Sequence, residues 1–157
     1  MRKHALRKKE STEIIEYLNS HSGTEIKGER IEIVDDRFLA NGDIFAFFID
    51  EKPYLTIKGA MQYNPTKKLV VVDAGAVRYV SNGADVMAPG IVEADMSIRA
   101  GEIVYIVDEK NRRVIAVGRA LVDAEKILEG KKEERRGKVI KNIHWVGDKI
   151  WKATSSG

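Results

Sequence analysis

The segment VDAGAVRYVSNGADVMAPGI, from Val72 to Ile91, decides the fold of this chain. Asp73 predicts the start of a helix at about residues 74–81, because a carboxylate at that position accepts hydrogen bonds from the first N–H groups. Asn82-Gly83 predicts its end, since glycine accepts the left-handed backbone that follows many helices. A second strand, broken at Pro89-Gly90, follows. The segment therefore predicts a strand, a helix, a glycine exit and a strand.

Such a unit presents several backbone N–H groups on one side. Small residues at Gly75 and Gly83 allow a sugar-phosphate chain to approach the backbone, and amides at a helix terminus or turn donate to phosphate oxygens. Each glycine also has a simpler role as a turn or cap. On the helix, Arg78, Ser81 and Asn82 lie away from the apolar face and stay available for contacts.

These residues resemble the signature of the PUA domain, named after pseudouridine synthases and archaeosine transglycosylases. The resemblance covers about residues 69–152 and implies a mainly-β pseudo-barrel with short helices. It also implies that RNA lies against the first helix, the glycine-rich strand and the last strand. The matching residues are Val72, Asp73, Gly75, Ala76, Gly83, Ala84, Met87, Pro89 and Gly90. The RNA-binding residues implied are Arg78, Ser81, Asn82, Gly83, Ala84, Asp85 and Val86, together with Lys138 and Lys141 from a closing hairpin.

The whole chain is similar in layout to short archaeal relatives of the multiple-copies-in-T-cell-lymphoma protein and ligatin. We expect an α+β pre-PUA domain over residues 1–65 and a PUA RNA-binding domain over 66–157. The resemblance implies binding to the small ribosomal subunit and to tRNA or ribosomal RNA during translation initiation, reinitiation or recycling. It implies no DNA partner.

The first half predicts a helix followed by an antiparallel sheet. A helical repeat of apolar residues begins after Ser11, which is a suitable N-cap, and should end near Gly23. Apolar β-rich runs follow at residues 31–34, 44–49 and 54–57, separated by turn-like residues at 41–43 and 50–53. The polar stretch 63–68, with a central proline, is the candidate linker.

The second half predicts strands at 69–72, 103–108 and 114–121 and a short helical turn at 126–129. Residues 138–152 predict a hairpin with Gly147-Asp148 at its tip, pairing Val146 with Lys149, Trp145 with Ile150 and His144 with Trp151. Alternation places one set of side chains in the core: Ile143, Trp145 and Ile150. The opposite set suits either nucleic acid or a solvated sheet: His144, Val146, Lys149 and Trp151.

Basic residues concentrate at the two ends of the chain. The net charge is +3, yet residues 1–9 hold five basic side chains and no acid, and residues 131–152 hold eight basic side chains against three acids. The middle is therefore acidic. The C-terminal cluster alternates with apolar residues, as a strand does, and indicates a cationic surface for a polyanion.

The sequence carries no sign of catalysis. It lacks cysteine, which excludes disulfides and thiolate zinc sites, and its three histidines, His4, His21 and His144, are scattered. Asp35-Asp36 has no metal-binding companion. Nucleophile elbows and phosphate-binding glycine motifs are absent. We therefore expect no enzyme activity and no cofactor, and, with no apolar stretch near the ~18 residues that span a bilayer, a cytoplasmic protein without a membrane partner.

Three interpretations remain open. The chain is an RNA-binding adaptor for translation, an RNA-guiding subunit of a tRNA- or rRNA-modifying enzyme of the archaeosine transglycosylase or pseudouridine synthase type, or a protein-interaction module whose PUA surface has lost RNA affinity.

Overall fold

The structure is a computed structural model that describes residues 3–28, 30–35, 37–40 and 42–154. Three residues used in the sequence analysis lie outside these ranges: Arg2 of the N-terminal basic cluster, Asp36 of the Asp35-Asp36 pair and Asn41 of the turn at 41–43. Within the described ranges, no helix is both long and apolar enough to cross a membrane.

The first part of the chain forms a five-stranded antiparallel sheet in sequential order, β1-β2-β3-β4-β5, with one long and one short helix. The long helix ends where the sequence predicts, because Gly23 adopts the left-handed conformation (φ +64°) and its N–H donates to the carbonyl of Asn19. The elements are β1 (Lys3–Ala5), α1 (Lys8–Ser22), β2 (Ile31–Val34), β3 (Arg37–Ala40), β4 (Asp43–Ile49), β5 (Lys52–Leu55) and α2 (Ile57–Tyr63).

The second part forms a six-stranded mixed sheet in the order β7-β11-β10-β9-β6-β8. Strands β6 and β9 pair in parallel, and the other neighbours are antiparallel. Short 3₁₀ helices span Ala88–Gly90 and Lys132–Glu134. The elements are β6 (Leu69–Val72), α3 (Ala74–Val80), β7 (Val86–Met87), β8 (Ile91–Ala94), β9 (Ile103–Asp108), β10 (Val114–Ala120), α4 (Ala124–Ile127), β11 (Lys138–Trp145) and α5 (Lys149–Thr154).

The two sheets share a hydrophobic core. The completely buried ring of Tyr105 on β9 packs among residues of α1 and β5. Its hydroxyl accepts a hydrogen bond from the Leu55 N–H at 3.1 Å and lies 2.7 Å from Ser22 Oγ. The candidate linker is packed as well, since the N–H groups of Thr66 and Lys67 donate to the Ser22 carbonyl. The predicted boundary after residue 65 therefore falls in a segment that is packed against α1.

The prediction of a closing hairpin is wrong. After β11, the chain turns at Gly147 and enters α5, because the Asp148 carboxylate accepts hydrogen bonds from the N–H groups of Trp145 (3.0 Å) and Trp151 (2.8 Å) and caps the helix. The predicted strand pairs therefore do not form. His144, placed by the prediction on an outer face, is fully buried.

Two further predictions in the first half are wrong. The long helix begins at Lys8 and not after Ser11, because the Glu10 carboxylate reaches back to the Arg7 N–H (3.2 Å). The strand expected at 54–57 ends at Leu55, where Thr56 caps α2 by accepting a hydrogen bond from the Gly59 N–H at 3.0 Å.

Stability should fall when pH drops from 8 to 5. Nε2 of His144 accepts a hydrogen bond from the Ile57 N–H (3.1 Å), so the ring proton sits on Nδ1, 2.8 Å from Asp148. Burial lowers the pKa of His144, with Asp148 opposing in part, and burial also lowers the pKa of His21. A histidine whose pKa is lower in the folded state takes up its proton mainly on unfolding. Each such histidine therefore favours the folded state fully above pH 6.5, the ordinary pKa that it has in the unfolded chain. Below that pH the free energy of unfolding falls by up to about 1.4 kcal/mol per pH unit for each histidine.

Urea unfolding midpoints measured across this pH range check the expectation. The H144Q variant, whose amide can accept from Ile57 and donate to Asp148, should show a weaker pH dependence, whereas a matched H4Q variant at an exposed position should follow the parent chain. A flat profile for the parent chain would contradict the prediction.

Candidate nucleic-acid interface

The N-terminus of α3 is held by an anchor from far along the chain. As the sequence predicts, the Asp73 carboxylate accepts a hydrogen bond from the Ala76 N–H at 2.9 Å. The Lys132 ammonium lies 2.7 Å from the same carboxylate and donates to the Pro89 carbonyl at 2.6 Å. Although partial burial acts to raise the pKa of Asp73, these donors hold it below its usual range. Lys132 therefore joins the helix, the Ala88–Gly90 turn and the basic segment.

A second connection holds β11 to the end of α3. The Asp85 carboxylate accepts a hydrogen bond from the Asn142 N–H (2.8 Å) and pairs with the Lys138 ammonium (3.1 Å). The Asn142 hydrogen bond, helped by Lys138, lowers the pKa of Asp85. The buried side-chain amide of Asn142 donates to the carbonyls of Val80 (3.0 Å) and Ala84 (2.9 Å). The last strand and the first helix of this half thus form one surface.

An open groove of about 640 Å³ lies between α3 and β7. Two large side chains stand exposed beside it: Tyr79 keeps 62% of its surface in solvent and Met87 keeps 50%. Lys138 places a cation on the rim. The lining residues are Asp73, Gly75, Ala76, Tyr79, Val80, Ala84, Asp85, Met87, Pro89, Gly90 and Lys138.

The small residues of this region have different roles. A Cβ on Gly90 would lie 2.8 Å from the Cβ of Ala76, so this pair lets α3 pack closely on the chain after β7. Gly83 adopts φ +99°, and its Cα faces the Trp145 ring. Gly75 has no such close neighbour, since an added Cβ would meet only the Asp73 carboxylate at an ordinary 3.4 Å. Its exposed backbone leaves room for a ligand.

Of the implied residues Arg78, Ser81 and Asn82, only Arg78 lies within α3, which ends at Val80. Arg78 and Asn82 are exposed, and the Arg78 guanidinium lies 5.5 Å from the centroid of the Tyr79 ring. Ser81 is half-buried, and its hydroxyl donates to the Val77 carbonyl. None of these three side chains is among the residues that line the groove.

The remaining predicted residues differ in what they can offer. Ala84 is exposed, whereas Val86 is fully buried and presents no accessible surface to a ligand. Asp85 already binds Asn142 and Lys138. Lys138 and Lys141 are exposed as predicted, but they lie on strand β11 and not on a closing hairpin.

The sequence alone does not assign three residues of this region: Tyr79 and Met87, which line the groove, and Lys132, which is bound to Asp73. Tyr79 follows Arg78 directly and is far more exposed than an aromatic side chain in a core, but the sequence alone does not show that exposure. Met87 is part of the quoted signature, which does not assign it a contact with RNA. Lys132 was counted in the basic cluster, yet its contact with Asp73 spans 59 residues and gives no local signal. Among the described residues, no group of three histidines and carboxylates lies close enough to hold a metal ion.

Comparisons with known proteins agree with this geometry. Residues 68–146 match the family described as PUA domain. The chain belongs to the PUA-domain family. Its second half has a PUA-type fold, a mixed and mostly β sheet with short helices, as the sequence resemblance implies. A solved structure of a PUA domain protein from Thermoplasma acidophilum is 32% identical, with a TM-score of 0.85 over 98% of this chain and 99% of that one.

Curated relatives extend the likeness beyond the PUA domain. An uncharacterised protein of Methanocaldococcus jannaschii is 46% identical over 77% of this chain and 74% of its own length. Translation machinery-associated protein 20 of Saccharomyces cerevisiae is 26% identical over 80% and 73%. Malignant T-cell-amplified sequence 1 of Rattus norvegicus is 30% identical over 78% and 65%. The predicted membership of this archaeal and eukaryotic family is confirmed.

Replacement of Asn142 should loosen the PUA surface. In N142A, the carbonyls of Val80 and Ala84 both lose the hydrogen bond from the Asn142 amide; the Val80 carbonyl keeps the Gly83 N–H, and loss of a buried hydrogen-bond partner of this kind costs about 1–3 kcal/mol. The free energy of unfolding, measured with urea, should fall by that amount. The matched variant N111A, in the exposed turn before β10, should stay within about 0.5 kcal/mol of the parent. Equal stability of the two variants would contradict the proposed connection.

Proposed function

We propose that this protein is a non-enzymatic RNA-binding adaptor that holds structured RNA, the acceptor region of tRNA or ribosomal RNA, against α3, β7 and β11. The observation that carries the proposal is the joining of the basic C-terminal segment to the glycine-containing unit by Lys132 and Lys138. This arrangement places exposed cations beside an open groove with accessible backbone.

The groove and the surface around it offer two kinds of contact that RNA needs. Arg78 and Lys141 project exposed positive charge, which attracts phosphates and releases bound counterions. The exposed ring of Tyr79 gives a flat face for an unpaired base, and base–aromatic stacking is a common mode of RNA recognition. Lys138 is paired with Asp85, so it contributes less net positive charge to this surface than Arg78 or Lys141 does.

We further propose that the process served is translation: initiation, reinitiation or ribosome recycling, with the small ribosomal subunit as a partner in the cytoplasm. The support is the family relation to proteins named for the translation machinery and the likeness along most of the chain. In this proposal residues 66–157 hold the RNA, and residues 1–65 form an α+β pre-PUA domain that contacts protein or ribosome.

Reversal of two charges on the PUA surface should weaken RNA binding. The double variant R78E/K141E removes two phosphate contacts, and each lost contact lowers the slope of log affinity against log salt by about one. Fluorescence anisotropy with labelled tRNA and a labelled rRNA fragment, over a series of salt concentrations, measures both quantities. The matched double variant K110E/K126E makes the same change of charge at exposed positions outside α3, β7 and β11 and should retain the slope. Equal slopes for both double variants would remove the proposed surface.

Binding to the ribosome tests the cellular role. In sucrose gradients of a lysate, the protein should sediment with small subunits, and R78E/K141E should shift toward the top fractions because the RNA contact is lost. Sedimentation of K110E/K126E should match that of the parent. Co-purification with a transglycosylase or pseudouridine synthase, without association with the subunit, would contradict the adaptor and favour the RNA-guiding subunit.

A further inference from the structure

The groove beside α3 is lined by more negative than positive charge. Its charged lining residues are Asp73, Asp85 and Lys138. The Lys138 ammonium lies 3.1 Å from the Asp85 carboxylate and compensates that acid. Asp73 has no such partner among the lining residues, and a carboxylate without a cationic partner repels the phosphates of an RNA chain.

The cation that compensates Asp73 is not itself a lining residue. The Lys132 ammonium lies 2.7 Å from the Asp73 carboxylate, but Lys132 does not line the groove. Burial acts to raise the pKa of Asp73, whereas the hydrogen bonds from Lys132 and from the Ala76 N–H together hold that pKa below its usual range, so the carboxylate is ionised at neutral pH. Removal of the Lys132 ammonium would therefore leave an unpaired negative charge at the groove.

Lys132 also fixes the position of the same wall of the groove. Its ammonium donates to the Pro89 carbonyl at 2.6 Å, and both Pro89 and Gly90 line the groove. The Gly90 carbonyl in turn accepts a hydrogen bond from the Asp73 N–H at 2.9 Å. One lysine thus binds the acid at the start of α3 and the turn that is hydrogen-bonded to that acid.

We infer that Lys132 is a positioning residue for RNA: it neutralises Asp73 and holds the Ala88–Gly90 turn, so that the groove accepts a polyanion, without contacting the RNA itself. This role rests on the proposed function, because it requires that the groove holds RNA. A role exerted through Asp73 differs from a direct phosphate contact in one respect. The need for Lys132 disappears when residue 73 carries no charge.

The test compares the RNA affinities of single and double variants. K132M keeps the length of the side chain and removes the ammonium, so the affinity should fall about tenfold, because the Asp73 carboxylate then repels phosphates. D73N should bind RNA at least as tightly as the parent, since its neutral amide can still cap α3 by accepting the Ala76 N–H. The double variant D73N/K132M should return to within about threefold of the parent, because the two changes are coupled. Fluorescence anisotropy with labelled tRNA and a labelled rRNA fragment measures the affinities.

Matched outcomes separate this role from a purely structural one. K126M also removes one positive charge, at an exposed position on α4, and should bind RNA as the parent does. If Lys132 only stabilised the fold, or if it bound a phosphate directly, D73N/K132M would bind no better than K132M, and that result would overturn the inference. Equal affinities of K132M and K126M would overturn it as well, while leaving the proposed function intact. A parent chain that binds neither RNA would overturn both.

Discussion

The burial of strand β9 on both faces is the constraint on which the rest of the structure depends. Val104 and Ile106 point into the core beneath α3, while Ile103 and Tyr105 point toward α1 and β5. The hydroxyl of Tyr105 has partners on both of those elements, so the second face is fixed by hydrogen bonds as well as by packing. Because one strand serves two cores, the PUA barrel and the preceding part of the chain cannot separate without exposing a large apolar surface.

Much of the PUA half can be predicted from the sequence because its signals are local. Asp73 caps α3 and Gly83 takes a positive φ, as their residue types indicate. The β-branched runs at 69–72 and 103–108 form strands as predicted, since buried strands read as continuous apolar stretches. The position of Arg78 on the open side of α3 follows from helical spacing alone. These features need no knowledge of distant residues.

The errors occur where one local pattern fits two structures. Gly147-Asp148 suits a hairpin tip, but Asp148 is also a good helix cap, and its contact with the buried His144 favours the cap. The sequence does not predict helix α2, because its seven residues include Gly59 and glycine is a poor helix former. Glycine is required there, since a Cβ would lie 1.9 Å from the Phe45 carbonyl oxygen. Lys132 could not be assigned to the site, because its partners are distant in sequence. In each case a tertiary contact overrides the local preference.

The anchor between Lys132 and Asp73 has a consequence for biosynthesis. The ribosome synthesises the chain from the N-terminus, so α3 emerges before the residues that bind its two ends. Lys132 binds Asp73 at the start of the helix, and Asn142 on β11 binds Val80 at its end. The growing polypeptide therefore lacks both of these contacts of α3 until synthesis has passed Asn142. The surface formed by α3, β7 and β11 can therefore assemble only after β11 has been synthesised. A nascent chain that lacks β11 does not yet have the cationic groove.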